Sequence, residues 1–364
     1  MIGIRPSTLA FASASLAPAL LLAVGAFAGG VWAYAGPAAM TALVMLMDGS
    51  RIACDPDPTA RHWLPRLLGW GHFVLLGTGV WAIGAGDHLD PGQKLALGIG
   101  LGLYVGQVSN ACAHELIHRP DRPSRRLGAA IYCSLMNGQH VSAHLLVHHV
   151  HAGTARDPNS APLGRGFWRF FATVLRDEFV AGWRVERARR ADQPLWQHPY
   201  VAYLAGSALT LICAGVLGGI IGIVTLLLLA LHAHLQLMLS DYVQHYGLRR
   251  RVDAAGKPEP IGPQHSWNAP QRFSAAVMLN APLHSDHHMN PGRSFDTLRH
   301  DPGLMPTLPG SVPLMAALAL APPLWRHVMD PRVRKIQAQT PAADGKQPPA
   351  PVPPSGRTAV LLSE

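Results

Sequence analysis

Charge is the first thing this sequence is short of. Only 14% of its residues are Asp, Glu, Lys or Arg, against about 25% in an ordinary soluble protein. That deficit excludes a conventional water-exposed globule of 364 residues. Cysteine is scarce and unpaired in pattern: Cys54, Cys112, Cys133 and Cys213 form no C-x-x-C motif. Zinc fingers, iron–sulfur clusters and covalently attached haem are therefore excluded, and all four read as reduced structural thiols. The chain has five glutamates, and only Glu115 stands three residues before a histidine, His118. A carboxylate-bridged di-iron bundle, which needs two Glu-x-x-His motifs and further glutamates, is excluded with them. No repeat of 20–50 residues is present, so solenoids and propellers drop out.

Long apolar runs fill the space the charges leave. A bilayer span needs about 20 predominantly apolar residues, and six stretches qualify as spans: 9–28, 31–47, 67–85, 95–113, 200–216 and 220–240. Gly29-Gly30 and Gly218-Gly219 read as tight turns between neighbouring spans. The segment 312–325 is apolar but short and interrupted by Pro313, Pro322 and Pro323, so it reads as peripheral or re-entrant. The expected fold is an all-α integral membrane protein of six transmembrane helices with a polar helical cap. It forms a single domain over 1–337, followed by a Pro/Ala-rich disordered tail over 338–364.

The net charge of +9 lies in loops. The loop 119–198 holds twelve arginines and no lysine, and 51–66 is basic, whereas the turn 86–94 carries Asp87 and Asp90 against Lys94. The positive-inside rule places the basic loops, the cap and both chain ends on the cytoplasmic side of a bacterial inner membrane. It also accounts for the positive charge without nucleic acid.

Twenty histidines are the excess that calls for chemistry. His114 and His118 are one helical turn apart at the end of the fourth span. His144, His148 and His149 form H-x-x-x-H-H; the first two are expected to share a helix face, with His149 turned about 100° toward a neighbouring site. His284, His287 and His288 form H-x-x-H-H, and His245 ends the sixth span. Nine imidazoles at one membrane face suit two metal ions better than one, and iron, zinc, copper and nickel all remain open on ligand type. Asp157, Asp241 and Asp286 are candidates to orient ligand rings through their second nitrogens. His234, about three turns before His245, either lines a substrate cavity or makes a contact between helices.

Two rivals fit less of the pattern. His114-Glu115-Leu116-Ile117-His118 matches the zinc-protease motif H-E-x-x-H, but leaves the clusters at His144 and His284 unused. A metal transporter places its ligands near the bilayer midplane, whereas these gather at one edge.

The boxes His114-Glu115-Leu116-Ile117-His118-Arg119, His144-x-x-x-His148-His149 and Leu283-His284-Ser285-Asp286-His287-His288 resemble those of the integral-membrane alkane 1-monooxygenases, within the fatty acid desaturase-like superfamily. The segments 236–248, 264–270 and 279–282 share the resemblance, the first being similar to the extra box that separates alkane hydroxylases from desaturases. Ala143, Val147 and Leu283 stand where that family often has Glu, Gly and Arg. The resemblance implies two non-haem iron ions bound by His114, His118, His144, His148, His149, His245, His284, His287 and His288. It implies O2 as co-substrate, electrons from rubredoxin and rubredoxin reductase, and terminal hydroxylation of an alkane taken from the bilayer. Desaturation or hydroxylation of an aryl methyl group is the alternative within the same chemistry.

Overall fold

The structure is a computed structural model, and it describes residues 6–48 and 60–339. Helix α1 (Pro6–Ala28) is apolar along its length and turns at Gly29 and Gly30, whose φ of 60° and 56° is left-handed. The chain then doubles back through α2 (Trp32–Ala38), a π-turn at Ala39–Leu43 and α3 (Val44–Asp48). Helix α4 (Ala60–Gly84) follows. Asp90 starts α5 (Pro91–Tyr104): its Oδ1 accepts from Gln93 N at 2.9 Å, and Pro91 takes the first helical position, where no N–H is needed. α5 continues through a second π-turn, Val105–Ser109, into α6 (Asn110–Ile117).

Asp121 caps α7 (Arg122–Ser134), which folds back so closely that a Cβ at Gly128 would lie 2.8 Å from Ala113 O on α6. Next come α8 (His140–Ala143), a third π-turn at His144–His148 and the single turn α9 (His149–His151). The amphipathic α10 (Phe167–Arg189) buries Phe167, Phe170 and Val174. Helix α11 (Pro199–His245) is the longest, and it is two antiparallel arms. They part at Gly219 (φ 60°, ψ −151°), and a Cβ at Gly222 would meet Ala214 O at 2.5 Å. Close backbone approach also locks α11 to α4, where a Cβ on Gly84 would stand 2.7 Å from Gly218 Cα. The chain ends in α12 (Arg272–Val277), α13 (His284–Met289), α14 (Val312–Ala319) and α15 (Pro322–Gln339).

Among the described residues there are no strands, only two isolated bridges, Val252 with Pro258 and Asn268 with Thr307. Four helical stretches among the described residues are long and apolar enough to cross a membrane: Ala10–Ala28, Trp63–Gly84, Pro91–Ile117 and Pro199–His245. Their outward faces are apolar: Val74, Val216 and Ile220 are 70%, 82% and 72% exposed, which in water would be a liability and in lipid is a solvated surface. The expected second span is a continuous helical stretch, α2 through α3 from Trp32 to Asp48, which is shorter than these four. The apolar piece around Pro322 forms α14 and the start of α15. Cys112, Cys133 and Cys213 are free thiols, and Cys54 lies outside the described residues. So does the expected disordered tail, apart from residues 338 and 339, which end α15.

Candidate metal centre

α6 and the second arm of α11 end at the same place, and α8, α9 and α13 converge on it. His114 and His118 come from α6 and its C-cap, His245 from the last turn of α11, and the remaining six from the third π-turn, α9 and α13. The nine histidines form two groups. His114, His118, His144, His149 and His287 present nitrogens within 4.8 Å of one another; His148, His245, His284 and His288 do the same.

The distances are those of a shared cation. In the four-histidine group the Nε2 atoms of His245, His284 and His288 form a triangle of 2.9, 3.0 and 3.2 Å. In the other, His144 Nε2 is 3.0 Å from His118 Nε2 and 2.9 Å from His149 Nε2. A ring nitrogen directs its proton or lone pair along one line in the ring plane. Three nitrogens converging on a point cannot all be satisfied by protons, whereas one cation satisfies all three. Ligands at right angles, each bonded at about 2.1 Å, lie about 3 Å apart. His148 Nε2 is buried without a hydrogen-bond partner, while Nδ1 of the same ring meets Asp157 Oδ2 at 2.9 Å.

The π-turn corrects the expected facing of the second cluster. His144 and His148 do not serve one group: His144 pairs with His149, and His148 goes to the other. A π-turn closes over five residues instead of four, so positions i and i+5 come into line. The adjacent pairs His148/His149 and His287/His288 each divide between the groups, which brings them side by side; the His149 and His288 ring centroids are 4.7 Å apart.

Burial favours the neutral form, which a metal ligand would need, in rings outside the spans. Burial and the neighbouring imidazoles press His118 down to about 4 and His284 to about 3. His148 departs from this. Burial lowers it, but the carboxylates of Asp157, Asp241 and Glu178 together outweigh burial and lift it to about 9. The Asp157 carboxylate would hold Nδ1–H as the donor and leave Nε2 free for a cation.

The three aspartates fare differently. Asp157 holds His148 and accepts from Ser160 Oγ at 2.6 Å. Asp241 bonds Asn159 Nδ2 at 2.6 Å, not a ligand ring. Asp286 is occupied by Arg293, Asn290 Nδ2 and Arg299 N. These last two do not orient a histidine, because nearer donors take their oxygens. His234 does not line the cavity described below; its Nε2 donates to Leu135 O at 2.8 Å, joining α11 to the end of α7.

A cavity of about 360 Å³ runs from the histidines between α2–α3, α5–α6, α11 and α14. His114, His144 and His284 stand at its inner end, and Met40, Val44, Leu103, Leu237, Met278 and Ala317 supply carbon walls. Met45 and Leu314, on facing sides of it, are exposed on the apolar outside of the helices. Trp32, Trp70 and Trp81 are not on its wall: the first two are exposed and Trp81 packs on Phe27 and His88.

The profile of the fatty acid desaturase family matches residues 94–318, from α5 to α14. The chain belongs to the fatty acid desaturase family. Within it, the chain is similar to alkane 1-monooxygenase 1 of Pseudomonas aeruginosa (strain PAO1), 33% identical over 84% of each chain. Alkane 1-monooxygenase 2 of the same strain is 30% identical over 81% of this chain and 82% of the relative. The xylene/toluene monooxygenase hydroxylase component of Pseudomonas putida is 27% identical over 83% and 82%. The desaturase-family match spans all nine histidines, from His114 to His288.

One buried carboxylate, Glu178, escaped the sequence reading. His140 Nδ1 meets Glu178 Oε1 at 2.6 Å, and Asn159 Nδ2 ties Glu178 Oε2 to Asp241. Burial raises the Glu178 carboxyl, but His140, Asn159 and His148 together more than offset it and hold the group below the usual range. The His140 ring in turn lies 5.1 Å from that of His144. The legible signal was a charge on an apolar stripe, since Glu178 and Glu186 continue the face of Phe167, Phe170 and Val174.

Proposed function

We propose that the chain is a non-haem di-iron monooxygenase that hydroxylates the terminal carbon of alkanes to primary alcohols with O2. The observation that carries this reading is the placement of two adjoining histidine groups at the inner end of an apolar cavity. His114, His118, His144, His149 and His287 would hold one iron; His148, His245, His284 and His288 would hold the other. When bound, the irons supply the oxidation of a C–H bond by O2, chemistry that no side chain here provides.

The chain's own residues bind, orient and exclude water. Carbon walls accept a substrate already dissolved in lipid without a hydrophobic penalty, so its seating depends on close packing rather than on transfer from water. His114, His144 and His284 close the inner end, so the carbon presented there is a chain end. Asp157 fixes the His148 ring, and the Glu178–His140 pair packs behind His144.

Six transmembrane spans follow if α2–α3 and both arms of α11 each cross the bilayer. The arginine-rich loops and the histidine groups then face the cytoplasm with both termini. Electrons come from rubredoxin, kept reduced by its reductase, and an acidic surface on the donor would suit that basic face. The identity to a xylene/toluene hydroxylase component keeps aryl methyl groups as a second substrate class.

Two measurements test this. Purified protein should hold two irons; one zinc and no iron would overturn the reading. Membranes supplied with a rubredoxin system and given octane, hexadecane and a methylarene should yield primary alcohols. No oxygenated product from any of the three sinks the function, and so does full activity in His284→Ala.

A further inference from the structure

Three of the polar groups on the cavity wall stand well away from the nine-histidine centre. Gln107 on the second π-turn and His232 and Gln236 on α11 stand there together. Gln107 Oε1 is buried and has no hydrogen-bond partner. Gln236 Nε2 lies 2.5 Å from His232 Nε2 and 3.3 Å from Gly102 O. Both side chains of α11 are seated on glycines of the facing helix. A Cβ at Gly102 would stand 3.1 Å from the His232 ring, and one at Gly106 would collide with the Gln236 amide. The glycines thus make room for polar groups that a hydrocarbon does not use. An alkane leaves the Gln107 carbonyl without a donor, an arrangement that buried polar groups avoid.

The chemistry of this level selects its ligand. No lysine or arginine stands on the wall, and its charged residues are Asp48 and Asp241. A fatty carboxylate would be buried there with no cation to meet it. A hydroxyl both donates and accepts, which matches an unpartnered amide oxygen on the same wall as a second amide and an imidazole.

Distance selects its length. Gln107 precedes His114 by seven residues and Gln236 precedes His245 by nine, or about 10 and 13 Å of helix at 1.5 Å per residue. An extended carbon chain with bonds of about 1.5 Å advances about 1.25 Å per bond. The span therefore takes about eight to ten carbons.

We propose that Gln107, His232 and Gln236 form a hydroxyl-binding subsite that seats the oxygen of a medium-chain primary alkanol and presents its far methyl group to the histidine centre. The enzyme's own product can thus re-enter in reverse and leave as an α,ω-diol. The terminal C–H bond breaks and a C–O bond forms with one atom of O2. The other atom leaves as water, with two electrons from the same electron-donor protein and two protons. This rests on the monooxygenase reading above.

The test uses membranes containing the full chain and a rubredoxin system, given octane, 1-octanol and octanoate in parallel. Octane should give 1-octanol, 1-octanol should give 1,8-octanediol, and octanoate should give no 8-hydroxyoctanoate. Gln107→Leu should lower the ratio of kcat/KM for 1-octanol over octane at least tenfold, and Gln236→Met should move it the same way, with iron content as the check on folding. Octane turnover without diol from the wild-type chain overturns the subsite and leaves the monooxygenase standing. An unchanged ratio in a Gln107→Leu protein of normal iron content also overturns it, since the amide then holds only water. Hydroxylation of octanoate contradicts the neutral-ligand argument. No product from octane or 1-octanol removes the subsite and the parent reading together.

Discussion

His148 shows how much one residue carries at this site. Its Nδ1 is fixed by Asp157 and its Nε2 is aimed at His245, His284 and His288. Asp157→Asn keeps the shape and removes the carboxylate that fixes the tautomer. Loss of such a partner typically lowers metal affinity by about 10–100-fold. The variant should lose iron from the four-histidine group first, seen as a fall from two irons toward one on dialysis. Glu178 makes a different demand. Removing one partner from a buried charge pair costs about 3–5 kcal/mol, so Glu178→Leu, which strands His140 and Asn159, should unfold at clearly lower temperature in detergent. Glu178→Gln, which keeps a hydrogen bond to His140, should recover part of the loss. Equal melting temperatures for wild type and Glu178→Leu would show that the network contributes nothing to stability.

Among the elements, the third π-turn does what an α-helix could not. Its extra residue sends His144 and His149 to one group and His148 to the other. Deleting Val147 should restore α-helical spacing and rotate the histidines that follow by about 100°. The expected result is a folded protein with one iron at most and no activity, read by metal analysis beside a melting curve; two irons in the deletion would show that the turn is incidental. The hairpin of α11 depends on Gly219, whose φ of 60° and ψ of −151° only glycine adopts readily. No atom lies within 4 Å of a Cβ added there, so Gly219→Ala tests backbone strain alone. It should destabilise by about 1–3 kcal/mol, measured by thermal unfolding.

At the scale of the whole molecule, nine imidazoles from four separate pieces of chain meet at one end of the long helices. Metal bound there stabilises every element that supplies a ligand. An ion present at 1,000 times its dissociation constant contributes about 4 kcal/mol. Stripping iron with a ferrous chelator should therefore lower the melting temperature together with activity, and adding iron back should restore both. The sequence carried a large part of this arrangement. Histidines at positions 114–118, 144–149, 245 and 284–288 fix the ligand type, and apolar runs fix the helices that carry them. The all-helical fold and the turns at Gly29-Gly30 and Gly219 were legible for the same reason, since residue type and spacing decide them locally. Three things were not. Which histidines share a group depends on a π-turn, which has no signature in a list of spacings. Which aspartate orients a ring depends on competition, because Asn159 reaches Asp241 and Arg293 reaches Asp286 before any imidazole does. The cavity's polar level depends on two helices more than a hundred residues apart in sequence, with Gly102 and Gly106 receiving His232 and Gln236. Sequence alone determined what each residue can do, because chemistry belongs to the side chain; only the tertiary structure decided which of them meet, because that depends on how separate helices pack.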